Sequence, residues 1–199
     1  DATHEVPGPN GKLVPALDFI RTMDTDRTAE WNMWYHVLNC GFRIRASGET
    51  DFPCISGERV GMGRVYAKVD GKLDFDQWVQ ALADGRNYVS DGTTHLMDFT
   101  ATVGDKVTEL GTKRSEIELS KEAEVTFTVK AARWLKSGQA GQIELIVNGF
   151  PVAKEALPAD GKVRDFSFKA TIPNSSWVAI RVTPSAHTNP FFVIVGNQP

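Results

Sequence analysis

The chain has 199 residues, of which 41% are hydrophobic and 24% charged, with a formal net charge of −3. These are ordinary values for a globular protein, and they give no electrostatic basis for general nucleic-acid binding. No apolar run approaches the roughly 20 residues of a membrane-spanning helix, and the opening DATHEVPGPNGKL has neither the basic region nor the apolar core of a signal peptide.

The first strong element is a helix over TAEWNMWYHVLNCG. Trp31, Trp34, Tyr35 and Leu38 follow helical spacing and make one apolar stripe. Gly41 stands where a left-handed C-terminal cap belongs. A strand is expected at FRIRAS, with Phe42, Ile44 and Ala46 alternating against arginines, and another at GRVYAKVD. A second helix is expected at DFDQWVQALADG. Asp74 and Gln77 have capping-box spacing, Phe75, Trp78, Val79 and Leu82 form the stripe to be buried, and Gly85 ends it.

Near residue 98 the pattern changes. EVTFTVKA, QIELIVNGFPV, FSFKATI, WVAIRV and FFVIV alternate with period two or are wholly apolar, and Asn148-Gly149 is a strong hairpin signal. The expected class is α+β: a partial α/β region over residues 1–98, then an immunoglobulin-like antiparallel β-sandwich over 99–199, with Phe127, Leu145, Phe166 and Val182 in its core. Two or three βα elements cannot cover both faces of a parallel sheet. The chain therefore reads as the C-terminal piece of something longer, and an exposed edge would favour self-association.

No P-loop, dinucleotide fingerprint, nucleophile elbow or H-E-x-x-H is present. The carboxylates of SGETDFP are the leading chemical candidates. Asp51 follows a strand, where α/β enzymes place reactive groups, and alternation would put Glu49 on the same side if the strand ran on that far. Two readings stay open: a divalent-metal site, or structural ion pairs with Arg43, Arg45 or Arg59. His36 lies off the tryptophan stripe, on a polar edge with Asn32 and Asn39, facing a cleft or simply solvent. His95 is a turn residue satisfying local backbone or a candidate ligand. His187, in a proline-bounded loop, reads as a surface residue. Cys40 and Cys54 are open to a single bridge, but two buried thiols are the simpler reading. Trp31, Trp34 and Trp78 read as core, and Trp177 as packing rather than a sugar platform.

VPALDFI, AEWNMWYHVLNCGFRIRASGETDFPC, the run from GERVGMGRVY to THLMDF, and PSAHTNPFFVIV together resemble the C-terminal part of a PHP-type metallohydrolase of the carbaryl-hydrolase-like (CehA/McbA) branch. The resemblance implies a distorted βα barrel binding one to three divalent metals, usually zinc, manganese or iron. Metal-bound hydroxide would attack an ester, phosphoester, or carbamate or amide bond of a small-molecule substrate. Asp51 matches the family's late metal-ligating aspartate, while Glu49 and His36 match no assignable ligand. The family's opening H-x-H pair and its mid-barrel Glu and His ligands are not in this chain, so the resemblance implies a site completed by other sequence and a chain inactive alone. The alternative is a non-enzymatic β-sandwich module that binds a ligand or a protein.

Overall fold

The computed structural model describes residues 4–53 and 59–196. Among them are two α-helices and sixteen strands. In chain order the first elements are β1 (Glu5–Pro7), β2 (Leu13–Pro15), β3 (Phe19–Thr22), α1 (Arg27–Asn39), β4 (Arg45–Gly48), β5 (Arg64–Ala67), α2 (Phe75–Ala83) and β6 (Asn87–Ser90). Then follow β7 (Thr94–Val103), β8 (Lys106–Glu109), β9 (Glu116–Leu119), β10 (Ala123–Arg133) and β11 (Gly141–Val147). The last are β12 (Phe150–Leu157), β13 (Arg164–Ile172), β14 (Ser176–Val182), β15 (Ala186–Thr188) and β16 (Phe191–Val195).

The fold is mostly β, arranged in several sheets. One sheet has the order β13-β10-β7-β8, and a second runs β12-β11-β14-β15-β6-β5, with β16 joined to β14 and β9. A single apolar core draws on both. Phe127 and Phe166 enter it from the first sheet, Leu145 and Val182 from the second, and none of the four is more than 6% exposed. Period-two sequence becomes a buried face because alternate side chains leave a strand on opposite sides. Asn148 and Gly149 turn β11 into β12 with φ of 51° and 94°, the positive values a tight hairpin requires.

The helical portion forms one βαβ unit. β3 and β4 pair in parallel, with α1 as the crossover. No barrel is formed among the described residues. Helix α1 starts where Asp26 accepts hydrogen bonds from the Thr28 and Ala29 amides at 3.0 and 3.1 Å. Gly41 leaves it at φ 88°. Trp31, Trp34, Tyr35 and Leu38 are buried as expected, and they share a second core with Met23, Ala46, Val89, Ile146 and Phe192. The strand of residue 98 crosses the expected change of character: β7 runs through it, and β6 sits beside β15 in the large sheet.

Four expectations are corrected. The α2 stripe is largely open to solvent, with Phe75 73% and Val79 43% exposed, although Asp74 caps the Gln77 amide as read. Cys40 is exposed at the end of α1, and Cys54 lies outside the described residues. His187 is fully buried, because β15 carries it against the aromatic face of α1. Arg45, expected to alternate outward, is 5% exposed, its guanidinium over the Phe192 ring. No described helix is long and apolar enough to cross a membrane.

Candidate functional site

The carboxyl ends of two adjacent parallel strands are where α/β folds gather reactive groups. Here they are Thr22 of β3 and Gly48 of β4, which are register partners. Beyond them the chain turns sharply: Met23 has φ 77° and Asp51 φ 54°. The Glu30 carboxylate pins the first turn, accepting from the Met23 amide at 2.7 Å and from the Thr25 amide and hydroxyl at 2.9 Å each. Thr50 pins the second. Its hydroxyl accepts from the Gly61 and Gly63 amides and donates to the Gly63 carbonyl. Glycine is required at 63 by close approach, since a Cβ there would lie 2.0 Å from the Glu49 carbonyl oxygen.

Between these turns Arg21 bridges two aspartates. Its Nη2 lies 3.0 Å from Asp24 Oδ2, and its Nη1 donates to Asp51 Oδ2 at 2.6 Å. The Asp24 side chain is completely buried and Asp51 is about one-third exposed. Neither Asp24 oxygen has a partner with hydrogen-bond geometry, so the 3.0 Å approach to Arg21 is a charge contact without a well-aligned N–H. The Asp51 hydrogen bond is the main cause that raises the Arg21 guanidinium pKa; desolvation opposes it, and the charges of Asp24, Asp51 and Glu49 each add a smaller upward push. Three carboxylates thus act on one guanidinium. Nearby, Arg27 at the start of α1 pairs with Asp91 at 3.2 Å, fastening the βαβ unit to the turn after β6.

Two of the three expected arginine partners of Asp51, Arg43 and Arg45, go elsewhere. Arg43 pairs with Glu116. Arg45 donates to the Arg114 carbonyl at 3.0 Å, and burial pushes its pKa down to about 10. The chain matches no protein-family model and no curated protein.

The candidate histidines stand apart from this cluster. His36 is exposed in the last turn of α1. Nine residues of helix separate it from Arg27, about 14 Å at 1.5 Å per residue, so it stands at the opposite end of the unit from Asp51. His95 on β7 packs edge-on to Tyr66 at 4.9 Å and places Nδ1 2.7 Å from the Tyr88 hydroxyl. Burial, and then the Arg64 charge, lower its pKa. Among the described residues, no group of three or more His, Cys, Asp or Glu is placed to hold a metal.

Arg21 and Asp24 escaped the sequence reading. FIRT offers only two apolar residues, too few for a periodic signal, and Asp24 is one of several acidic residues in MDTDR. The available clue is an acidic turn, MDTD, between a short strand and a capped helix.

The larger polar network lies behind α1. Tyr35 donates to His187 Nε2 at 2.6 Å, and His187 Nδ1 faces the Thr188 carbonyl at 2.7 Å. Arg181 reaches the Tyr35 hydroxyl at 3.3 Å and pairs with Glu144 at 2.9 Å. Nδ1 therefore carries the imidazole proton. Burial pushes His187 down to about 3, opposed by the Thr188 carbonyl and aided by Arg181. Such a ring is a neutral structural pin.

Proposed function

We propose that this chain supplies the last βα elements and a C-terminal immunoglobulin-like sandwich of a PHP-like metal-dependent hydrolase acting on ester, phosphoester, or carbamate or amide bonds. The observation that carries the reading is Asp24–Arg21–Asp51, held at the carboxyl ends of the parallel pair β3–β4. It is supported by the ordered resemblance around AEWNMWYHVLNCGFRIRASGETDFPC. Asp51 is the metal ligand in this reading, with Glu49 beside it.

The fit to a metal is incomplete within this chain. A catalytic zinc takes about three protein ligands, while Asp51 is tied to Arg21 and no described cluster of three exists. In this reading the remaining ligands come from other sequence. The open face of α2, with Leu73, Phe75 and Val79, and Leu17 and Phe19 near β3 supply apolar surface on which further barrel elements would pack. A second copy of the chain is the competing occupant.

Metal content, and hydrolysis of p-nitrophenyl phosphate and p-nitrophenyl acetate, test the reading on the intact protein and on residues 1–199, each with and without Asp51→Asn. Metal and activity should be present in the intact protein, fall at least about a hundredfold in rate with Asp51→Asn, and be lacking in the isolated chain. Equal metal content and rate in the variant would defeat the assignment of Asp51. Sedimentation of residues 1–199 reads the dimer alternative.

A further inference from the structure

A cavity of about 330 Å³ opens where the antiparallel pair β5–β6 of the large sheet meets β7 and β8 of the other. It shares no lining residue with the Asp24–Arg21–Asp51 cluster. Its inner wall is apolar: Leu96 is 2%, Phe99 3% and Leu110 8% exposed. Tyr66 and Tyr88 stack along one side with ring centroids 5.0 Å apart and planes 9° from parallel. Both hydroxyls are already engaged, Tyr88 with His95 at 2.7 Å and Tyr66 with Arg64 at 3.2 Å. The rings are thus held in place before anything binds.

The rim is charged but self-neutralised. Lys68 pairs with Asp98 at 3.0 Å and with Glu109 at 3.4 Å, and Arg86 pairs with Asp70 at 2.7 Å. No uncompensated charge is offered to a charged ligand. Interiors of folded proteins pack to near-crystalline density, and their voids seldom exceed a few waters. A preformed apolar recess at the lower end of the ligand-pocket range, between two sheets, is the ordinary form of a small-molecule site.

We propose that this cavity binds a small, uncharged, planar aromatic molecule of one or two rings. It packs against the Tyr66–Tyr88 stack, with its body against Leu96, Phe99 and Leu110, and any hydroxyl or carbonyl points to the Lys68–Glu109 rim. Aromatic contact with the tyrosine rings and burial of apolar area supply the attraction. The site does not depend on metal or on Asp51, so it stands or falls separately from the hydrolase reading.

The test titrates 2-naphthol into the protein and follows the methyl resonances of Leu96 and Leu110. Saturable shifts at both, with one molecule bound, are expected. Leu110→Trp, which fills the recess, and Tyr66→Ala, which removes the outer ring from an edge strand, should each weaken binding at least about tenfold, the loss of one good apolar contact. Should Leu110→Trp fail to fold, Tyr66→Ala carries the comparison. Absence of saturable shifts overturns the proposal. So does unchanged affinity in the folded variants, or shifts confined to the separate groove of Leu38, Trp177 and Phe192.

Discussion

Replacing His187 by glutamine should remove a defined part of the protein's acid sensitivity. The ring is 0% exposed and wedged between Trp31 and Trp34 at centroid distances of 5.2 and 5.1 Å. Burial lowers its folded pKa to about 3 from an ordinary 6.5. Between those values the unfolded chain binds a proton that the folded protein refuses. The contribution to stability is therefore complete above about pH 6.5 and is lost as pH falls toward 3. Each pH unit in that window is worth about 1.4 kcal/mol, so moving from about pH 7 to pH 5 costs about 2 kcal/mol through this residue alone. Urea unfolding followed by tryptophan fluorescence at the two pH values reads it directly. The wild-type loss should exceed that of His187→Gln by about 2 kcal/mol, even though the variant is less stable at neutral pH. Equal losses in both proteins would refute a neutral, desolvated His187.

Gly63→Ala places a Cβ 2.0 Å from the Glu49 carbonyl oxygen and 2.8 Å from that of Met23, a clash with backbone on both sides. A cost of about 1–3 kcal/mol, seen as a melting temperature several degrees lower, is expected. The double change Phe75→Ser and Val79→Ser alters residues that are 73% and 43% exposed. Unfolding free energy should move by no more than about 0.5 kcal/mol, while sedimentation should show less self-association. A large loss of stability would mean that the face is covered. Native Cys40 should react with Ellman's reagent at once, and Cys40→Ser should remove that fast thiol.

The readable part of the fold was local. Helix α1 announced itself because its four buried residues repeat at helical spacing, and the 148–149 hairpin because its turn needs positive φ. Periodicity also found α2, yet it marks which residues are apolar and not whether anything covers them, so Phe75 and Val79 were misplaced. The site was less legible. Asp51 was found from its position after a strand, but Arg21, its partner, is 30 residues away along the chain. His187 looked like a loop residue because the rings that bury it belong to α1, 152 residues earlier at Tyr35. Arg45 was misread for the same reason: Phe192 and the Arg114 carbonyl, which receive it, lie far along the sequence.

The pairing of β6 with β15 sets a timetable for synthesis. Val89 is the register partner of His187, about 100 residues later. At the ribosome's 5–20 residues per second, that interval is roughly 5–20 s. Throughout it the aromatic face of α1 and one edge of β6 have been made while their cover has not. The nascent chain therefore carries Trp31, Trp34 and Tyr35 bare for seconds, a window long enough for a chaperone to capture it or for two neighbouring chains on one message to associate.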